Sequence, residues 1–513
     1  MQRRHFVRAM AGSALTTGTV RVSAQAISHD PFQLGVASGS PAPDGFVIWT
    51  RLLAAAGGEP LPNAPIRVHW ELAIDPQFKR IVRSGATFAV PDFVHSVHIE
   101  VTGLLPSKAP YWYRFRVADA VSPVGRTRTL PALSSQDTLR FALASCQNYE
   151  HGYFSAYRHM AKEDLDAVLF VGDYIYEYGM MPNRVRQHNS PTCITLDDYR
   201  ARYALYKSDP DLQLGHAACP WIVTWDDHEV ANDYASDRSE SDRGAGFLAR
   251  RDAAYRAYWE HQPLRRAQLP SNGHMQLYRS YKWGQTADLH MLDSRQYRDY
   301  QVCTPSEQGG SRTIFDKSCP ERLSFSGSML GTKQEAWLNQ SVLQSTAAFN
   351  IVGQQSIMAQ MRMAIRGAPE SQPAEAFWND SWDGYPIARK RTLSTWGAKK
   401  NVVTLGGDVH ATYISDLQAD FDDPSSPILA TEIVGTSITS PSWPQAVADR
   451  VMRANPHMKF AKSDQRGYML LEVGTKKMMA HARVIDNARV QDTVVSTAAS
   501  FVVEPGRPGA QKI

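Results

Sequence analysis

Residues 167–176 read Ala-Val-Leu-Phe-Val-Gly-Asp-Tyr-Ile-Tyr: five apolar side chains that stop abruptly on a glycine and a carboxylate. A short continuous apolar run bounded by turn residues fits a strand buried on both faces of a layered fold. Just upstream, Phe154, Tyr157 and Met160 fall at helical spacing, so a helix precedes this strand. Glu335 to Leu343 repeats the amphipathic pattern, and from about residue 139 short apolar runs alternate with longer amphipathic segments. That alternation predicts an α/β domain over 139–490, followed by a C-terminal tail over 491–513.

Three further apolar runs end in the same manner. "RFALASC" stops at Cys146, "WIVTWDDHE" at Asp226, Asp227 and His228, and "NVVTLGGDVH" at Asp408 and His410, while Tyr176 lies three residues beyond Asp173. In layered α/β folds, ligands collect beyond the carboxyl ends of the strands, where loops converge on a rigid sheet. Carboxylates gathered there would repel and raise one another's pKa values, and bound cations remove that conflict. Each piece has an ordinary reading: Gly-Asp as a turn, Asp-Asp-His-Glu as a helix cap, His410 as a structural histidine, Cys146 as a small buried hydrophobe, Tyr176 as packing. All four strand ends landing on metal-binding side chains makes coincidence a poor account.

Residues 32–130 have another texture. "GFVIWTRL", "IRVHWELAI", "SVHIEVTGL" and "YWYRFRV" alternate apolar and polar residues between Gly, Pro and Asp turns, which predicts a small β-sandwich resembling a fibronectin type III module. "TLPALSSQDTLR" reads as the linker that follows it.

The N-terminus pairs Arg3 and Arg4 ahead of Phe6, and Ala24-Gln25-Ala26 has a small-x-small cleavage form. Residues 1–26 therefore read as a signal peptide of the twin-arginine type, with the twin-arginine translocase as a partner during export and a periplasmic or secreted destination. Removing them takes four of the 55 basic residues and no acidic one, so the mature chain balances its 51 acidic residues. That balance gives no support to a nucleic-acid partner, and no run of about 18 apolar residues suggests a membrane span. Among five cysteines, Cys303 and Cys319 flank a Gly-, Ser- and Pro-rich loop and are expected to pair; the state of Cys193 and Cys219 stays open.

Taken in order, "LGVASGSPAPDGFVIWTRL", "ASCQNYEHGYF", "GDYIYEYG", "TWDDHEVANDYA", "LDSRQYRD", "WDGYP" and "GGDVHAT" resemble the PhoD-type alkaline phosphatases of the calcineurin-like metallophosphoesterase superfamily. The resemblance covers nearly the whole mature chain. It implies a four-layer α/β sandwich core behind the N-terminal β-sandwich, and hydrolysis of phosphate mono- and diesters by a metal-bound hydroxide or oxide. It also implies iron(III) held by Cys146, Asp173 and Tyr176, with Asp173 bridging to calcium and Asp227 or Asn232, Asp408 and His410 completing the cluster. A thiolate and a phenolate suit a trivalent ion, and oxygen ligands suit calcium. Asp227 and His228 would be catalytic, His228 as general acid or electrostatic partner of the leaving group. Arg295 and Arg298 either fork onto phosphate or pair with Asp293 or Asp299; "WDGYP" is either an aromatic lid or a packed loop. The substrates would be small phosphate esters and the enzyme a monomer. A phospholipase D-like action on lipid head groups is the alternative activity, and a non-catalytic surface-binding protein the alternative class. No Gly-x-Ser-x-Gly elbow stands near the strand ends, which argues against acyl chemistry.

Overall fold

In the computed structural model, which describes residues 29–55, 57–305, 309–363 and 376–513, the run 167–171 is the buried strand Ala167–Val171. It lies between Leu139–Ala144 and Trp221–Thr224, parallel to both, within a ten-stranded sheet. A second sheet of seven strands places Val402–Gly406 parallel to its neighbours Phe349–Gly353 and Ile428–Val434. The four runs singled out above are thus four parallel-type core strands, three in one sheet and one in the other.

The two sheets face each other. Phe141, Leu143, Leu169 and Val171 of the first pack with Leu289, Ile351, Val403 and Leu405 of the second in one apolar cluster. The outer face of the first sheet is covered by the helices Ser155–Met160, Leu196–Lys207, Pro210–Ala218 and Gly244–His261, through a cluster rich in buried tyrosine and tryptophan. Gly331–Gln344, Pro386–Trp396 and Gln445–Ala454 cover the second. The order helix, sheet, sheet, helix is the four-layer sandwich expected, because strands apolar on both faces need cover on both sides. Phe154, Tyr157 and Met160 are all buried, as their spacing predicted.

The N-terminal β-runs are strands, and they form the expected β-sandwich. Ile66–Ala73, Ile81–Ala89 and Tyr111–Val117 make a separate sheet, which packs on Val36–Ala42, Gly45–Arg51 and Ser96–Val101 around Phe46, Ile48, Leu72 and Phe115. The second half of this sandwich is not independent. Gly39 pairs with Trp221, so its strands extend the ten-stranded core sheet. A side chain at Gly39 would meet the Trp221 carbonyl at 2.6 Å, and glycine permits that approach. At the opposite edge, the segment read as a C-terminal tail is corrected: Val495–Glu504 and Arg507–Lys512 are the last two strands of the same sheet, with Arg507–Lys512 at its edge. Their exposed, polar outer faces hide the strand signal from an apolar-run reading.

Cys303 and Cys319 form the expected disulfide; Cys146, Cys193 and Cys219 are free and buried. The signal-peptide reading falls outside the described residues. Among those described, no helix is long and apolar enough to cross a membrane.

Candidate metal centre

All four strands deliver their carboxyl ends to one place. Cys146, Asp173 and His410 bring a sulfur, a carboxylate oxygen and a ring nitrogen within 4.8 Å of one another, and Asp173, Asp227 and His228 form a second such group. Asp173 belongs to both, so it stands between two potential cation positions. One of its oxygens accepts from the Tyr176 hydroxyl at 2.8 Å. The other, Oδ1, is buried without a hydrogen-bond partner. A buried carboxylate oxygen left unpaired is costly unless a cation meets it. On this observation the residues fit a bound metal.

The backbone of these loops is also held in a costly form. Cys146, Asp173, Asp408 and His410 all adopt the left-handed region, with φ of 58°, 60°, 65° and 54°. Non-glycine residues rarely take it, and such strain concentrates where a site over-determines the chain. Gly172 precedes Asp173 at φ +117°, and a Cβ there would meet Asp226 at 2.4 Å. The Gly-Asp pair is therefore more than a turn: the glycine lets two acidic strand ends approach.

Tyr176 is buried, its hydroxyl 2.8 Å from Ser440 Oγ and 3.4 Å from His410 Nε2. His410 faces the Pro441 carbonyl through Nδ1 at 2.9 Å; a carbonyl only accepts, so Nδ1 carries the proton and Nε2 is free to ligate. Burial lowers its pKa to about 3, which keeps it neutral. Burial raises Cys146 and Tyr176 well above their usual values, and the Asp173 charge adds to both. Burial, then the charges of Asp227, Asp226 and Glu229, raises Asp173 despite the favourable His228. These anionic forms need compensating positive charge.

Asp227 takes a hydrogen bond from the Asp233 amide at 2.7 Å. Burial works against its charge, but Arg295 and His228 hold it below the carboxylate range. Asp408 is less enclosed; burial and the charge of Asp226 raise it. Asn232 donates its backbone N–H to Glu177 and its side-chain amide to Asp233. His228 stacks on the Tyr176 ring at 4.1 Å between centroids and donates from Nδ1 to Glu177 at 2.8 Å, which leaves Nε2 for another partner.

Several supporting residues escaped the sequence reading. Glu229 accepts the amides of Asp173, Tyr174 and Asp226, tying two strand ends together, and burial raises it to about 8. Arg466 donates to the carbonyls of His410 and Ser440. Arg295 is a correction. It neither forks onto phosphate nor pairs with Asp293 or Asp299: fully buried, it binds Asp226 at 2.5 Å and Asp380 at 2.8 Å, with Asp227 at 3.6 Å. Arg298 pairs with Asp380 at 2.7 Å. A guanidinium is needed there because three carboxylates meet out of water. The "WDGYP" segment is a packed loop: Trp382 donates to Gln354 and Tyr385 to the Asp299 carbonyl, both from buried positions.

Comparison with known proteins decides the family. Residues 141–482 match the model of the PhoD-like phosphatase domain, and residues 17–131 that of its N-terminal domain. The chain belongs to the PhoD-like phosphatase family. It is 44% identical to alkaline phosphatase D of Bacillus subtilis (strain 168), over 98% of this chain and 85% of that protein. A solved PhoD structure superposes with a TM-score of 0.86 at 43% identity, covering 95% of this chain and 92% of the other. The purple acid phosphatase PPD1 from yellow lupin (Lupinus luteus) seeds shares the fold, at a TM-score of 0.53 and 11% identity, over 92% and 74% of the two chains. A PhoD-like phosphatase of this similarity is a phosphoric ester hydrolase. The non-catalytic reading is set aside, and the family implies a metal cofactor.

Proposed function

We propose that this PhoD-like phosphatase is an exported enzyme hydrolysing small phosphate mono- and diesters at a centre built for iron(III) and calcium. The observation that carries the reading is the shared Asp173, which belongs to both the Cys146–His410 group and the Asp227–His228 group and keeps one buried oxygen unpaired. Cys146, Asp173 and Tyr176 would hold the iron, whose triple positive charge is stabilised by an anionic thiolate and phenolate. Asp173, Asp227 or Asn232, and Asp408 would supply oxygen donors for calcium, and the His410 ring nitrogen would complete the cluster. When bound, such a cluster supplies Lewis acidity toward phosphoryl oxygens and toward attacking water.

The chain's own groups do the rest. The carbonyl-bound Nδ1 of His410 fixes its tautomer, and Arg466 anchors the loop carrying it. Arg295 keeps Asp226 and Asp227 ionised and oriented without entering the site. His228 is oriented by Glu177, and the charges of Asp227, Glu177 and Asp173 raise its pKa against burial; it would present Nε2–H to the departing alcohol oxygen. Twin-arginine export, a periplasmic or secreted location and a monomeric state complete the proposal. Lipid head groups remain the second substrate reading, carried by the diester capacity alone.

Its test is metal analysis joined to turnover. The purified protein should contain iron and calcium and release phosphate from para-nitrophenyl phosphate; activity retained in full after both metals are stripped would refute it.

A further inference from the structure

The loop leaving Leu139–Ala144 passes Cys146 and ends in the short turn Tyr149–His151. The chemistry above makes no use of His151. It is partly exposed, and its Nδ1 is buried without a hydrogen-bond partner among the described residues. Two backbone hydrogen bonds seat an arginine on either side of it. Val185 N–H to the Glu150 carbonyl, at 3.0 Å, brings Arg184 alongside, and Tyr153 N–H to the Ala488 carbonyl, at 2.7 Å, brings Arg489.

Both arginines are exposed, and neither forms an ion pair with any described residue; Arg184 reaches only Met181 Sδ, at 3.3 Å. Their neighbours on the same segments behave differently. Arg186 is bound to Asp209, Arg158 to Asp211 and Arg483 to Glu163, so carboxylate partners are the rule in this part of the molecule. Burial first, then the charges of Arg184 and Arg489, lower His151 to about 4, so the two guanidiniums carry the positive charge here. Two guanidiniums without carboxylate partners among the described residues therefore stand beside a neutral imidazole at the end of the loop that carries Cys146. Cations held together without counter-ions repel, and an arriving anion relieves that repulsion.

We propose that Arg184, Arg489 and His151 form a second anion subsite, which selects phosphate esters whose organic portion carries a further phosphate or carboxylate. The reacting phosphoryl group is served by the metal ligands and His228, whereas His151 stands at the end of the loop that carries Cys146, with the two arginines seated beside it. This inference rests on the phosphoesterase reading and names its substrate class.

The test uses the full metal-loaded enzyme, with para-nitrophenyl phosphate as reporter and thymidine 5′-phosphate or thymidine 3′,5′-bisphosphate as competitor. The bisphosphate should inhibit with a Ki about tenfold lower, well beyond its twofold statistical advantage, since charge-assisted hydrogen bonds are worth that much. The ratio is read within each variant, so partial loss of folded enzyme cancels. R184S/R489S should bring it near the statistical limit, R184K/R489K should restore most of it, and added salt should erode it in the wild type. A wild-type ratio near two, or a ratio kept by R184S/R489S, overturns the subsite. Failure of the loaded enzyme to hydrolyse the reporter overturns the phosphoesterase reading, and the subsite with it.

Discussion

At the residue scale, the site is a set of side chains each spoiled for any other purpose. Asp173 is buried with a bare oxygen, Tyr176 gives its hydroxyl to that carboxylate, and both lie next to the loop that carries the thiol. His228 is held by a carboxylate on one nitrogen and stacked on a phenol ring. If it protonates the leaving oxygen, the cost of removing it depends on the alcohol. H228Q should slow an alkyl phosphate by about a hundredfold or more and an aryl phosphate by clearly less, because general acid catalysis matters most for poor leaving groups. An equal loss on both esters would mean a role in binding only. E177Q should give a milder version of the same pattern, since it removes the group that orients the imidazole.

The ligand types at the strand ends were legible, because apolar runs that stop on carboxylates and a cysteine leave a mark in one dimension. The left-handed backbone of Cys146, Asp173, Asp408 and His410 was not, because nothing in their composition announces it. Glu177, Glu229, Asp380 and Arg466 were missed for another reason. Their value lies in contacts across 26 to 85 residues of chain or more, such as Arg295 with Asp380, which no local pattern contains.

At the element scale, strands set the positions and helices pay for them in buried polar groups. Lys207, at the end of Leu196–Lys207, is buried with its amine over the Trp49 ring at 4.4 Å and beside His216, and has no carboxylate partner among the described residues. Burial lowers its pKa from 10.5 to about 7. Below about pH 7 the amine is charged in the folded and unfolded chain alike, and the burial penalty is largest. Between about 7 and 10.5 the unfolded chain holds more protons, so stability rises with pH. K207M should therefore raise the melting temperature at pH 6, by a penalty on the order of a few kcal/mol less what the Trp49 ring returns, and lose that advantage toward pH 10. A pH-independent difference would contradict this. In the neighbouring strand, Phe170 is fully buried against Tyr174 and Trp221. F170A should cost about 3–5 kcal/mol in denaturant unfolding, through lost burial and the cavity left behind.

The sheet and helix content of 139–490 followed from periodicity, since apolar runs and amphipathic stretches differ in length and pattern. The last two strands did not: Val495–Glu504 opens on three exposed residues out of its first four, and the edge strand Arg507–Lys512 has no buried residue, so neither shows a clean apolar run.

At the scale of the whole molecule, one sheet ties everything together. Strands from residues 36–51 and 96–101 join strands of the catalytic core and the last strands of the chain in a single ten-stranded sheet. The N-terminal sandwich was legible as short alternating strands, but its merger with the core was not, since one residue pair, Gly39 with Trp221, makes the join. Because hydrogen bonds run through that join, the N-terminal layers and the core should unfold in one calorimetric transition. Two separable transitions would show that the sheet is continuous in form only. Metals that bind the folded chain should raise this transition further, in proportion to the logarithm of their concentration.

The central claim is that Cys146, Asp173 and Tyr176 hold iron(III), and one measurement reaches it directly: the visible spectrum of the purified protein alongside its elemental analysis, repeated for Y176F. Stoichiometric iron and a tyrosinate-to-iron charge-transfer band, absent from Y176F, are expected. Iron-free protein without that band, hydrolysing phosphate esters at an undiminished rate, would contradict it.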